Sequence, residues 1–153
     1  HGVSASDADW TQAAELLIST MTSEAKPHPE VPGIISKLAE RYPLMPITNM
    51  DDKFFALNPF KRQFDLFVTA EQAQAFKPSA LIFLEAIKRL NVPASSVLHV
   101  SLAQFADLEG GMPVGMKVCW INRGGEALGR FTPVPLYELP DLRGLKDIFG
   151  LPD

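Results

Sequence analysis

Four short apolar runs, LMPITN, FDLFVTA, VLHVS and KVCWINR, recur along the chain. Each closes on polar residues or is followed at once by them, and each is separated from the next by a stretch long enough for a helix or a helix-sized loop. Runs this short and this apolar suit strands buried on both faces, the habit of a parallel sheet covered by helices. The fold class expected is therefore α/β with a parallel sheet. A chain of 153 residues that is 46% apolar and 21% charged has the material for one globular domain with a real core. No internal repeat or low-complexity linker divides it.

The connecting segments carry helical spacing. In WTQAAELLISTM, Trp10, Ala13, Ala14, Leu17, Ile18 and Met21 fall near one face, behind Ser6, a residue type that caps helix starts. Lys26-Pro27-His28-Pro29 breaks the chain, and a second helix is predicted from near Pro32 with Ile34, Ile35 and Leu38 on one side. Pro46 places the first apolar run at the end or edge of a strand. DDKFFALNPFKRQ reads as a helix broken at Asn58-Pro59, and EQAQAFKP as a loop. SALIFLEAIKRLNV reads as an amphipathic helix with a basic last turn, and YELPDLRGLKDIFG as ending in a short helix from about Pro140.

Charge narrows the partners. A net charge of −4 and a pI near 5.3 provide no basic field, so neither nucleic acid nor an anionic membrane surface is an expected partner. No stretch approaches the roughly 18 apolar residues of a membrane span, and no basic-then-apolar leader opens the sequence. The expected location is cytoplasmic. The single cysteine, Cys119, cannot form an internal disulfide and lies in an apolar run, where a buried structural thiol is the simplest reading. His28 and His99 have no partner at metal-ligand spacing, so no metal site is expected, and His99 inside VLHVS reads as a satisfied core histidine. The sequence opens on His1-Gly2 instead of Met, which suggests processing, a cloning remnant or a fragment.

In an open parallel sheet, ligands bind beyond the carboxyl ends of the strands. The residues there are Thr48-Asn49-Met50-Asp51, Thr69-Ala70-Glu71, Ser101 with Asp107 beyond it, and Asn122-Arg123. Each alone could be a turn or a cap, because Asn, Asp, Ser and Thr are the residues turns use. Lys77, in AFKPSA, is either a solvated surface lysine or a cation delivered to this crevice, where it pairs with carboxylates and with an anionic substrate.

These pieces have a familiar order. PITNMDDKF, AFKPSALIF, VLHVSLAQFADLEG and GMKVCWINR resemble the haloacid dehalogenase superfamily, and most closely its L-2-haloacid dehalogenase type with fungal relatives, from about His28 to Leu145. The resemblance implies a Rossmann-like core and a small anionic substrate. It gives Thr48 the role of the hydroxyl that binds the substrate's oxyanion, with Asn49 and Ser101 as neighbouring substrate-binding residues. Lys77 and Asp107 would be the catalytic pair that manages charge. No cofactor is implied, and Mg²⁺ only if the chemistry is phosphatase-like. The strand VCWINR favours the dehalogenase branch.

The departures carry weight as well. Leu102, Ala103 and Gln104, with Ala106 before Asp107, stand where the family usually places a Ser or Asn, and Phe83 stands where an aromatic hydroxyl often follows the lysine. The family's first motif, an apolar strand ending in Asp-x-x-x-Thr and carrying the nucleophilic Asp, has no match in the sequence; Asp7 and Asp9 follow no apolar strand. In this family that strand lies mid-sheet, between those ending here in Asn49 and Ser101. Each buried backbone group left unpaired costs roughly 1 to 3 kcal/mol, against a whole-domain margin of roughly 5 to 15 kcal/mol. The expectation is therefore that a second polypeptide supplies the strand, that the sheet rearranges, or that a homodimer completes it. Residues 1–25 would then be the end of a helical cap domain, residues 26–153 an incomplete core, and Lys26 to Pro29 the hinge. This chain alone is not expected to be active as a hydrolase. Two other readings stand beside it: a degenerate binding or assembly module, and a repurposed biosynthetic catalyst.

Overall fold

Strands this short are stable only through what covers them, and the computed structural model, which describes residues 6–20 and 26–152, shows the cover. Helix α1 (Asp7–Ser19) begins directly after the Ser6 cap, three residues before Trp10, the first of its spaced apolar residues. Ser6 and Asp9 form a reciprocal capping box: Asp9 N–H donates to Ser6 Oγ at 3.3 Å, and Ser6 N–H to the Asp9 carboxylate at 2.8 Å. None of its residues is buried, and Trp10, Leu16 and Leu17 are exposed. Met21, placed on this helix by its spacing, lies outside the described residues.

Helix α2 (Val31–Ala39) carries Pro32 in its first turn, where a missing N–H costs nothing, and buries Ile34 and Leu38. Strand β1 is only Ile47–Thr48, beginning directly after Pro46, whose carbonyl accepts from Val68 N–H at 2.9 Å. Helix α3 (Asp52–Leu57) stops at Asn58, before Pro59, and a 3₁₀ turn (Lys61–Gln63) leads to β2 (Val68–Thr69). Where a loop was expected, a one-turn helix α4 (Ala70–Ala73) follows. Thr69 Oγ1 accepts from Gln72 N–H at 3.1 Å and so caps it.

Helix α5 (Ala80–Leu90) carries Lys88 and Arg89 in its last turn and ends at Asn91 in the left-handed region. Strand β3 (Leu98–Ser101) leads to a π-helical turn (Gln104–Leu108) that runs into α6 (Glu109–Gly111). Strand β4 (Lys117–Ile121) comes next, then β5 (Tyr137–Leu139), a 3₁₀ turn (Leu142–Gly144) and α7 (Leu145–Phe149). Strand β5 is an addition to the four expected, and the terminal helical turns follow it.

All pairings are parallel, as expected for the class, but the strands form two sheets, β1-β2 and β3-β4-β5. Strand β4 is the buried spine, and its alternation sorts the core. Cys119 and Ile121 pack with Ile34, Leu38 and Leu145 of α2 and α7 on one face, and Val118 and Trp120 pack with Leu108 on the other. Helix α5 places Ile82, Phe83 and Ala86 in a second core with Val68. Gly110 lets α6 approach α5, because a Cβ there would stand 2.4 Å from the Phe83 ring and 2.9 Å from the Pro78 carbonyl oxygen.

Candidate functional site

Asn49 is the first residue beyond β1, and it grips the main chain of Lys77 from both sides. Its Oδ1 accepts from Lys77 N–H at 2.7 Å, and its Nδ2 donates to the Lys77 carbonyl at 3.3 Å. Held there, between α4 and α5, Lys77 reaches the second sheet: its Nζ donates to Asp107 Oδ1 at 2.8 Å. Asp107 lies in the π-helical turn after β3, its own N–H bonded to Ala103 O at 3.0 Å. The two side chains are 14% and 6% exposed, so this is a buried ion pair and not a solvated surface lysine.

His99 makes the third member. Its Nε2 stands 3.0 Å from the same Asp107 oxygen. Burial, the largest single influence, works to raise the Asp107 carboxyl, but the His99 hydrogen bond and the Lys77 charge together outweigh it and hold the group below the ordinary carboxylate range. The centre is therefore a carboxylate held between the Lys77 ammonium and the His99 ring, and it ties the segment between α4 and α5 to β3 and the turn after it.

The other predicted residues are nearby in sequence terms but not joined to this centre. Thr48 Oγ1 accepts from Met50 N–H at 3.2 Å and makes no bond to Lys77 or Asp107. Ser101 Oγ is buried with no hydrogen-bond partner among the described residues. Several polar strand ends serve as caps and turns: Asp51 caps α3, Thr69 caps α4, and Asn122 ties the turn to Glu126, donating to its carbonyl at 2.9 Å and accepting from its N–H at 2.8 Å. Arg123 pairs with Glu30 at the start of α2. Cys119 is fully buried, and burial pushes its thiol up to about 11.

His99 is the satisfied, largely buried histidine expected from its context, 11% exposed and bonded to Asp107, and only its place at this centre goes unread. Its neighbours along β3 are apolar, so it reads as core; the available signal was alternation, which puts it on the Ser101 face of the strand. No group of three or more His, Cys, Asp or Glu residues among those described could hold a metal ion. Asp107, moreover, has Oδ1 committed to Lys77 and His99. The residues present do not by themselves fit a Mg²⁺ site.

No protein-family profile matches the chain. It is 28% identical over 137 residues to haloacetate dehalogenase H-2 of Moraxella sp. (strain B), covering 86% of this chain and 61% of that one. It is 32% identical over 79 residues to an (S)-2-haloacid dehalogenase of Pseudomonas putida, covering 52% of this chain and 34% of that one. Among solved structures it resembles a HAD phosphatase of Thermococcus onnurineus at 28% identity and a TM-score of 0.77, covering 90% of this chain and 64% of the other. The chain thus spans between about a third and three fifths of the length of these curated relatives.

Proposed function

We propose that this chain, which belongs to the haloacid dehalogenase superfamily, carries the charge-managing residues of a hydrolytic site for a small anionic substrate, most like that of a 2-haloacid dehalogenase. The observation that carries the reading is the buried Lys77–Asp107 pair at 2.8 Å, anchored through Asn49 to the first sheet and through His99 to the second. A buried ion pair is a poor device for stability alone, since its desolvation cost offsets most of its attraction. Here it stands at the carboxyl ends of parallel strands, where such folds bind ligands.

In this reading an Asp carboxylate, on a strand seated between β1 and β3, attacks the carbon bearing the halogen. Halide leaves, an ester forms, and water hydrolyses it to the 2-hydroxy acid with release of a proton, which regenerates the carboxylate. Lys77 balances the carboxylates, Thr48 and Ser101 offer hydroxyls to the substrate, and Asn49 holds Lys77 in place. The nucleophilic strand comes from a segment outside this sequence or from a second polypeptide. Residues 1–25 would belong to a cap and residues 26–153 to the core. A phosphatase-like chemistry, which would bring a Mg²⁺ requirement, is the branch this reading sets aside. No helix among the described residues is long and apolar enough to cross a membrane.

The test is halide release from (S)-2-chloropropionate and phosphate release from a phosphomonoester, by the full-length gene product and by this chain. Chloride release by the former, lost at least about 100-fold in Lys77→Ala, is the expected result. Turnover of neither substrate ends the enzymatic reading. A binding or assembly role is then favoured by the apolar Leu102 and Phe105, which are 67% and 66% exposed just beyond β3.

A further inference from the structure

The His99 ring is held on several sides. Its side chain is 11% exposed, and Phe83 meets it edge-on with ring centroids 5.5 Å apart and planes at 85°. Phe83 is itself wedged by the close approach of Gly110. The imidazole plane is therefore set by packing, which a flexible ammonium on four methylenes cannot match. A lysine contact defines a distance, whereas a second donor of fixed orientation defines the rotation of the carboxylate as well. Both contacts converge on Oδ1, and Oδ2 of Asp107 has no hydrogen bond to any described residue.

Because an ionised carboxylate can only accept, Nε2 of His99 must carry the proton. We propose that His99 is a positioning residue of the strand-end site: its Nε2–H and the Lys77 ammonium together lock Asp107 through Oδ1, so that Oδ2 stays available as the acceptor for a water molecule. This deepens the proposed hydrolytic reading and rests on it for the role of Oδ2. The lock itself is a statement about this chain and is testable without turnover.

Long-range ¹H–¹⁵N NMR of the chain should show His99 as the Nε2–H tautomer at pH 7.5; an Nδ1–H tautomer overturns the proposal. His99→Leu keeps a similar volume without the donor, and His99→Gln restores a side-chain N–H. The midpoint of Asp107 Cγ in a ¹³C titration should rise by about one pH unit in His99→Leu and return toward wild type in His99→Gln; equal midpoints in all three proteins overturn it. In the full-length gene product, His99→Leu should lower kcat for (S)-2-chloropropionate about tenfold with KM within about twofold, and His99→Gln should recover most of it. A loss confined to KM counts against positioning. If the wild type turns over nothing, the hydrolytic reading fails, and the tautomer and the Asp107 midpoint still decide the lock. Should His99→Leu not fold, the wild-type tautomer and His99→Gln decide.

Discussion

Lys77 carries a consequence that a surface lysine would not. Its removal leaves the 6%-exposed Asp107 carboxylate with His99 as its remaining side-chain partner. Lys77→Met should therefore destabilise the chain by about 3 kcal/mol in urea unfolding, while the double variant Lys77→Met/Asp107→Leu should recover most of that loss. Additive losses would mean the two side chains are not coupled. Cys119 gives the opposite kind of residue, one that does nothing while the fold is intact. With its thiol pushed up to about 11 by burial, it should resist a thiol reagent at pH 8 and react at once in denaturant. The linkage follows from the same shift. Above about 9 the unfolded thiol ionises while the folded one keeps its proton, so stability declines as pH rises from about 9 toward about 11. Cys119→Ala should flatten that decline, and an unchanged slope would place its origin elsewhere. At this scale Lys77 and Asp107 could be singled out because each stands in a recognisable local pattern. The His99 contact could not, since it joins a strand to a turn eight residues on through a π-helical bend that no spacing rule anticipates.

Among the elements, α4 shows how a strand end and a helix start share one residue. Thr69 Oγ1 accepts from Gln72 N–H and donates to Asp52 Oδ1 at 2.7 Å, and Gln72 Nε2 donates to that same oxygen at 2.7 Å. Thr69 is fully buried, so Thr69→Val keeps the volume and removes both bonds. The expected cost is about 2 kcal/mol by urea unfolding, with faster amide exchange across residues 70–73; a loss under about 0.5 kcal/mol would contradict the cap. The same element explains a misreading. EQAQAFKP has no apolar periodicity because one helical turn is too short to show any, and only the Thr cap marks it. Strand β5 was hidden for a related reason. Tyr137–Leu139 is an outer strand, exposed at Tyr137 and Glu138 and set between prolines, so it lacks the continuous apolar run that made β3 and β4 legible. The long, strongly amphipathic α5 and the doubly buried β4 are where local pattern and tertiary environment agree.

At the scale of the molecule, β1 and β3 are each less buried than the strand they pair with. In an open parallel sheet covered on both faces, inner strands are the most buried. Here Ile47, Thr48 and all of Leu98–Ser101 are half-buried, while Val68, Thr69, Val118 and Cys119 are fully buried. Among the described residues β1 pairs only with β2, and β3 only with β4. Strands β1 and β3 are not paired with each other. The proposed function makes their remaining edges the seat of one further parallel strand, and that has a measurable consequence. A peptide with an apolar run ending in Asp, present at roughly 100 times its Kd, should stabilise the chain by about 2.7 kcal/mol. New amide protection should appear in β1 and β3 and not at the outer edge of β5. The same peptide N-methylated at alternate residues keeps its side chains but loses the ladder bonds on one edge, and it should bind far more weakly. Protection confined to β5 would mean that the peptide adds to the exposed edge as any sticky strand can. In that case the interior seat, and with it the nucleophile's place in the proposed site, would have to be abandoned.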